Sequence, residues 1–147
     1  MSSHHHPRTA CLVDGDNLTR GGALPVREVA RVIRRLSRLA DGMPVTFAMQ
    51  RKLAANYMTA YAGLGWGIHF ASMEPDAADI ELLDAAADYV RHDVTDLVVA
   101  SGDHAFADIA RRARLHVCSY RSSLSRRLEM AATTVTYLDD LLVPVAA

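Results

Sequence analysis

Aspartates placed directly after apolar segments are the residues of this 147-residue chain best suited to chemistry. Asp14 ends the apolar run Cys-Leu-Val, and Asp16 and Asn17 follow within three positions. Asp103 follows the apolar run Leu-Val-Val-Ala and a Ser-Gly pair, and Asp79 lies in the first turns of a helical segment. Crowded carboxylates repel one another unless a cation, an arginine or water lies between them. The spacing therefore raises the question of whether a cation, an arginine or water lies between these acids.

The topology of a parallel sheet answers part of that question. In open α/β sheets, ligands bind beyond the carboxyl ends of the strands, where the following helices also begin. Asp14, Asp79 and Asp103 are then expected to converge at one edge. Hard cations such as Mg²⁺ and Mn²⁺ prefer oxygen ligands, and such an ion can activate water and stabilise charge on a phosphate. The alternative for any single aspartate is a helix cap or a solvated surface position.

Apolar runs and helical periodicity alternate regularly along the chain, which predicts the elements that position these acids. The pattern indicates an α/β domain with three layers and a mainly parallel sheet of five or six strands. Residues 1–8, which include three histidines, are interpreted as a flexible tail or tag remnant, and residues 9–147 as one domain. The predicted strands cover residues 9–14, 44–50, 66–72, 95–101, 115–120 and 133–138. The predicted helices cover residues 23–40, 53–61, 76–90, 105–114 and 123–131. On the helix at 76–90, the apolar side is assigned to Ile80, Leu83, Ala87 and Val90.

Composition limits the classes of protein that this chain can belong to. Half of the residues are hydrophobic, enough for a core of ordinary size, yet no apolar run reaches membrane-spanning length and no signal peptide is visible. Cys11 and Cys118 each lie in an apolar run without metal-ligand spacing, which is typical of buried free thiols. We therefore expect a cytoplasmic protein without a membrane partner.

The basic residues are almost all arginine, since Lys52 is the one lysine among 16. Five arginines in residues 27–38 fall on the polar side of an amphipathic helix, where a solvated surface explains them. Arg112, Arg121 and Arg126 follow later strands and are predicted to bind substrate, because an acidic pocket repels a polyanion unless cations offset its field. Candidates for base stacking are Trp66, Tyr57 and Tyr120, each of which serves equally well as a core residue.

Taken in order, four segments of the chain resemble the NYN family of PIN-like (LabA-like) metal-dependent ribonucleases. They are LVDGDNL, DAADIELLDAAADYV, LVVASGDHAFADIARRA and HVCSYRSSLSRRLEMAATTVTYLDDL, which together span nearly all of residues 9–142. The resemblance implies a PIN-like fold and Mg²⁺- or Mn²⁺-dependent hydrolysis of RNA, single-stranded or structured. Residue by residue, Asp14 and Asn17 match the first motif, and Asp79 and Asp84 match the second. The third motif is matched by Ser101, Gly102, Asp103 and Phe106.

The resemblance assigns roles to these positions and also meets two departures. It implies catalytic roles for Asp14, Asn17, Asp79 and Asp103, with the three aspartates as metal ligands, and a substrate-binding role for Ser101. Where the family often has an aspartate two residues after the Ser-Gly-Asp motif, this chain has Ala105. Alanines also replace the lysine that often precedes the middle aspartate. The first departure predicts a weaker metal site. A homodimer is a further expectation.

Two other functions fit parts of the sequence. In a haloacid-dehalogenase-like phosphatase, Asp14 would be the nucleophile, Asp16 the general acid, and Asp103 with Asp108 the metal-binding acids. Against this, Leu18 stands where that motif needs threonine or valine, and no lysine lies shortly before the second acidic pair. A third interpretation is a degenerate PIN-like module that binds RNA or a protein without cleaving it.

Overall fold

The computed structural model describes residues 8–141. Its centre is a six-stranded sheet in which every neighbouring pair of strands is parallel. The strand order is β3-β2-β1-β4-β5-β6. The strands are β1 (Thr9–Asp14), β2 (Val45–Gln50), β3 (Gly67–Ala71), β4 (Asp96–Ala100), β5 (Arg114–Ser119) and β6 (Thr134–Tyr137). The prediction of a mainly parallel sheet with five or six strands is confirmed.

Helices cover both faces of the sheet and give a three-layer α/β/α architecture. The α-helices are α1 (Gly15–Leu18), α2 (Val26–Leu39), α3 (Arg51–Tyr61), α4 (Ala77–Arg91), α5 (Arg126–Ala131) and α6 (Leu138–Leu141). Two 3₁₀ segments, His104–Arg111 and Arg121–Ser123, complete the connections. One apolar core contains α2, α3 and the facing strand residues, and the second contains α4, α5 and the longer 3₁₀ segment. Strands buried on both faces explain why their sequences read as continuous apolar runs.

Helix α4 is present as predicted, but the apolar side assigned to it is only partly buried: Leu83 and Val90 pack against the second core, whereas Ile80 does not. The side chains that pack on the sheet are Ala78, Leu82 and Ala86, spaced four residues apart. Ile80 is 57% exposed. The helix contains apolar residues on more than one side, so periodicity alone did not select between the two stripes.

The segment between β4 and β5 was predicted as an α-helix over residues 105–114 and is instead the 3₁₀ helix His104–Arg111. A 3₁₀ helix rises ~2.0 Å per residue against ~1.5 Å in an α-helix, so few residues can return the chain along the sheet. The next strand starts at Arg114, earlier than predicted. The short helix predicted at 123–131 is divided into the 3₁₀ turn Arg121–Ser123 and α5, which Ser125 caps through the backbone N–H of Leu128.

Several remaining predictions concern the chain as a whole. Cys11 and Cys118 are buried free thiols, as expected. Within residues 8–141, none of the helices has both the length and the apolar character that crossing a membrane requires. Residues 1–7 of the predicted tail lie outside the described residues. Residues 142–147 of the predicted domain also lie outside them. The backbone carbonyl of Arg8 accepts bonds from Thr95 and Asp96.

Candidate active site

An acidic cavity of about 180 Å³ lies at the carboxyl edge of the sheet. The strand order reverses between β1 and β4, because the chain builds β2 and β3 on one side and β4 to β6 on the other. Such a switch point is where open α/β sheets bind ligands. The cavity is lined by Asp14, Asp16, Asn17, Gln50, Asp76, Ala78, Asp79 and Asp103. The structure thus brings together all four residues predicted to be catalytic.

Asp14 is the most buried carboxylate of the cavity, with 3% of its surface exposed. One carboxylate oxygen accepts a hydrogen bond of 2.7 Å from the Ser101 hydroxyl, and the other accepts one of 3.2 Å from the backbone N–H of Asn17. Burial raises the pKa of Asp14 to about 7, although these two hydrogen bonds oppose the rise; the charges of Asp79 and Asp16 add to it. Asp14 is therefore a fixed carboxyl group whose ionised form is disfavoured in the cavity and would be favoured by a nearby cation.

Asn17 fastens the end of β1 to the loop that follows β4. Its side-chain oxygen accepts a hydrogen bond of 3.1 Å from the backbone N–H of Gly102. A Cβ atom added at Gly102 would lie 2.1 Å from the carbonyl oxygen of Ser123, so only glycine fits there. Gly15 is similarly enclosed, since an added Cβ would lie 2.9 Å from the Met49 side chain. The Asn17–Gly102 hydrogen bond therefore joins the ends of β1 and β4, and each glycine packs closely against a further neighbour.

Asp79 and Asp103 enter the cavity from α4 and from the loop after β4. The pKa of Asp79 is raised to about 6, chiefly by burial and also by the charges of Asp103, Asp76 and Asp16, while His104 opposes the rise. Asp103 begins the 3₁₀ segment, and its side chain accepts a bond of 2.8 Å from the backbone N–H of Ala105. These acids repel one another across a small volume, which is the condition under which a shared cation is stabilising.

Asp16 and Asp76 also line the cavity, and the sequence analysis gave neither a firm role there. Asp16 accepts a bond of 2.9 Å from the backbone N–H of Gln50, which joins the end of β2 to the end of β1. Burial raises the pKa of Asp16, whereas the Gln50 hydrogen bond and Lys52 lower it. Asp76 precedes α4 with a φ of 62°, a left-handed conformation that aspartate tolerates better than most residues. Asp76 could have been predicted from the sequence, because it lies three residues before Asp79 and one turn of the helix brings such residues to the same side.

The donor set of the cavity fits a hard divalent cation, although the described side chains do not form a finished metal site. Carboxylate and amide oxygens surround the cavity, the ligand chemistry that Mg²⁺ and Mn²⁺ prefer. Within residues 8–141, no three His, Cys, Asp or Glu side chains are placed to hold one ion as they stand. A volume of about 180 Å³ accommodates an ion with several waters at ~30 Å³ each, so water can supply the remaining ligands. The residues that would hold it are Asp14, Asp79 and Asp103.

Ser101 does not occupy the substrate-binding position expected for it. The side chain is fully buried and donates to Asp14, while its hydroxyl oxygen accepts a bond of 3.1 Å from the backbone N–H of Asp103. A hydroxyl enclosed in this way orients the two flanking acids and has no surface left for RNA. Ser101 is therefore a positioning residue between β1 and the loop after β4.

The three arginines predicted to bind substrate lie in different places. Arg112 lines a cavity of about 1010 Å³ together with Thr95 and Thr133, which directly precede β4 and β6. That cavity is at the amino edge, so Arg112 lies away from the acids. Parallel strands place the start and the end of each connection at opposite edges, and Arg112 comes at the end of its connection, a distinction that the sequence analysis did not make.

Arg121 and Arg126 both follow β5 at the carboxyl edge. The Arg121 guanidinium forms two hydrogen bonds, of 2.8 and 2.9 Å, with the carboxylate of Asp140, and it lies 4.3 Å from the centre of the Tyr137 ring. Its charge is thus already paired. Arg126 is exposed in the first turn of α5 and pairs with no side chain in the described part of the chain. Of the three, Arg126 is best placed to meet a polyanion, because the residue before it, Ser125, bonds to the carbonyl of Gly102.

Other residues named from the sequence lie outside the cavity. Asp84 is exposed on α4, and Asp108 pairs with Arg127 at 2.9 Å. The phosphatase interpretation requires Asp108 beside Asp103 at the metal. The position of Asp108, which does not line the cavity, therefore counts against that interpretation. The stacking candidates Tyr57 and Tyr120 are core residues with 2% and 4% exposure, and the half-buried Trp66 packs against Phe47.

Comparisons with known proteins support the fold alone. No protein-family model and no curated protein matches the chain. A crystal structure of a protein of unknown function from Vibrio parahaemolyticus is similar, with a TM-score of 0.70 and 17% sequence identity. The similarity covers 96% of this chain and 98% of the other. The architecture described above therefore recurs in a protein of nearly the same extent.

Proposed function

We propose that this protein is a divalent-metal-dependent ribonuclease of the NYN/PIN-like type, acting in the cytoplasm on RNA phosphodiesters. The observation that carries the proposal is the small cavity at the switch point, where Asp14, Asp79 and Asp103 repel one another. Burial and mutual charge raise the pKa of Asp14 to about 7 and that of Asp79 to about 6. A dication removes this repulsion, and the ordered motifs that resemble the NYN family supply the same three residues.

The chain's own residues have distinct tasks in this proposal. Asp14 is the fixed acid, held by the Ser101 hydroxyl and the Asn17 backbone. Asp79 and Asp103 complete the acidic set from the opposite wall. When bound, Mg²⁺ or Mn²⁺ supplies an activated water and stabilises the charge that develops on the phosphate. Arg126 and Lys52 provide positive charge near this edge, which offsets the field that would otherwise repel RNA.

The test is RNA cleavage by the parent chain and by Asp103→Asn, with Mg²⁺ or Mn²⁺ and with a chelator. We expect the parent to cleave only with metal, and Asp103→Asn to lose at least ~100-fold in rate, since one charged ligand is gone. Asp84→Asn is the matched control, because Asp84 is an exposed aspartate of α4 outside the cavity. Equal rates for Asp103→Asn and the parent would refute the assignment.

The competing functions give different results in the same samples. A phosphatase would hydrolyse small phosphate monoesters and carry phosphate on Asp14 after acid quenching, whereas direct attack by water leaves the protein unmodified. A binding module would retain RNA without turnover at any metal concentration. Mass spectrometry of Asp14 and a binding measurement therefore distinguish all three.

A further inference from the structure

The edge strand β3 has features that an isolated edge normally avoids. It pairs with β2 on one side, and on its other side no strand within residues 8–141 is bonded to it. Its five residues pair continuously with β2, from Gly67 to Ala71, so no bulge interrupts the edge. The sequence Gly-Ile-His-Phe-Ala contains no proline and no lysine, the residues that commonly protect such edges.

Exposed apolar side chains surround this edge. Phe70 is 46% exposed on β3 itself, and Met73, two residues beyond the strand, is 69% exposed. On α4, the exposed Glu81 approaches His69 of β3 at 3.6 Å, whereas the exposed Ile80 lies on a different side of this helix. On α3, Met58 is 54% exposed, one turn from Tyr61, whose ring contacts that of Phe70. Three of the six large exposed apolar residues in the described part of the chain therefore lie on β3, directly after it, or on the helix that packs beside Phe70.

The opposite edge of the sheet lacks this character. On β6, the Tyr137 ring is covered by the Arg121 guanidinium, and Thr134 is bonded to His116 at 2.8 Å. None of the large exposed apolar residues lies on β6. Among the described strands, β3 alone carries a large exposed apolar side chain, Phe70, whereas the exposed Met130 lies on α5.

We infer that β3 pairs antiparallel with β3 of a second copy of this chain, forming a symmetric dimer with a continuous twelve-stranded sheet. The strand sequence is self-complementary about His69. Centring the pair on His69 places Ile68 opposite Phe70 of the partner, and Phe70 opposite Ile68 of the partner. Both residues face the α3 side, since Ile68 belongs to the core under α3 and Phe70 contacts Tyr61. Aromatic residues opposite β-branched residues are stabilising cross-strand pairs.

The size of the surface fits a dimer in which the flanking helices take part. A two-fold axis perpendicular to the sheet keeps the same face of both copies on the same side. Helix α3 therefore approaches α3 of the partner, and α4 approaches α4 of the partner. Two five-residue strands with Met58 and Met73 from both copies bury on the order of 1,000 Å² in total, near the lower limit for a specific interface. Interfaces near this limit are weak and transient, so we expect a dissociation constant on the order of 1 µM.

Sedimentation velocity across a concentration series tests the dimer without metal or RNA, so its outcome is independent of the proposed activity. We expect the parent to reach twice its 16.0 kDa chain mass, and Phe70→Lys to remain monomeric. Leu39→Lys is the matched control, because Leu39 is equally exposed, at 46%, but lies at the end of α2. A parent that stays monomeric at ~100 µM, a hundred times the expected constant, would overturn the inference. The inference would also be overturned if Phe70→Lys and Leu39→Lys weakened the dimer equally.

A cross-linking measurement tests the register and does not depend on the folding of Phe70→Lys. The native thiols are buried, so His69→Cys introduces an accessible cysteine that would face its own copy across the axis. Opposed Cβ atoms lie ~4.5–5.5 Å apart, within reach of a short bis-maleimide. We expect rapid dimer cross-linking of His69→Cys and slow cross-linking of Leu39→Cys. Equal rates would exclude this pairing.

Discussion

At the scale of single residues, the candidate site is defined by how each carboxylate is held. Asp14 is enclosed and bonded by Ser101, whereas Asp103 is bonded by the backbone of Ala105 and remains partly exposed. The first arrangement fixes the carboxyl group of Asp14, and the second leaves the carboxylate of Asp103 partly accessible from the cavity. Ser101 contributes by holding Asp14, so its role is visible only from its contacts.

The raised pKa of Asp14 predicts how the metal-free protein responds to pH. Its folded-state pKa is about 7, above the ordinary value near 4, so between these pH values the folded state binds more protons than the unfolded state. The free energy of unfolding therefore falls as pH rises from ~4 to ~7. Asp14→Asn should flatten this decline and be more stable than the parent at pH ~8, on the order of 2 kcal/mol. Denaturant unfolding in chelator at both pH values measures the effect.

Asp84→Asn is the control for this prediction, since that exposed residue lies outside the cavity. A parent whose stability is constant or rises over this pH range would show that Asp14 is ionised at no cost in the folded state.

Ala105 predicts a weak metal site that one substitution can improve. Its backbone bonds to Asp103, which places position 105 beside the cavity rather than in it. An aspartate there adds one charge to the acidic set, and a gain of ~1.4 kcal/mol in metal binding corresponds to ~tenfold in affinity. Ala105→Asp should thus lower the metal concentration for half-maximal RNA cleavage about tenfold. A metal titration on one RNA checks this.

Ala110→Asp is the matched control, because it adds the same charge at an exposed position of the same 3₁₀ segment. An unchanged midpoint for Ala105→Asp would mean that residue 105 does not face the ion and that the motif Ser-Gly-Asp is aligned wrongly on the family.

At the scale of elements, the site depends on how closely the loop after β4 packs on the loop after β5. Gly102 is the contact point, since it bonds to Asn17 and its carbonyl accepts a bond from Ser125. The same position links the end of β1, the 3₁₀ segment and α5. A change there should disturb stability and the placement of Asp103 together.

Gly102→Ala tests this packing. The new Cβ would lie 2.1 Å from the Ser123 carbonyl oxygen and 2.6 Å from the Ser119 hydroxyl, so backbone must move. We expect a loss of ~2–4 kcal/mol in the free energy of unfolding. Gly67→Ala is the control, because its Cβ would meet ordinary contact at 3.5 Å from the Val45 carbonyl oxygen. Similar losses for both variants in a urea titration would contradict the argument.

At the scale of the whole molecule, charge is distributed unevenly between the carboxyl edge and the amino edge of the sheet. The net charge is only −1, yet residues 74–103 contain nine acids and one base. Several of these acids face the cavity at the carboxyl edge, whereas Arg112 lies at the amino edge. The molecule therefore presents a local negative field to a cation without being strongly acidic overall.

Binding of a divalent cation should stabilise the whole fold, because the unfolded chain has no preformed site. At ten times the dissociation constant the gain is ~1.4 kcal/mol, or about 4 °C in melting temperature. The increase should be larger at pH 8 than at pH 5.5, since protons on Asp14 and Asp79 compete with the metal. Thermal unfolding with Mn²⁺ measures it, and Asp79→Asn should lose most of the increase. An equal rise in that variant would place the ion elsewhere.

Local pattern determined the fold class and the identity of the central acids. Alternating strands and helices predict a parallel α/β sheet, and in such a sheet chain order alone brings Asp14, Asp79 and Asp103 to one edge. The strand boundaries of β1 needed no correction, because an apolar run ending in Asp-Gly is unambiguous.

Tertiary structure decided what each side chain does at that edge. Whether Ser101 contacts substrate or holds Asp14 depends on packing between β1 and β4, and no local pattern contains that contact. Whether Arg112 lies at the carboxyl or the amino edge depends on where its connection turns, and the 3₁₀ geometry of that segment was not apparent in the sequence. The buried face of α4 likewise followed the shape of the sheet below it, because the helix offers apolar residues on more than one side.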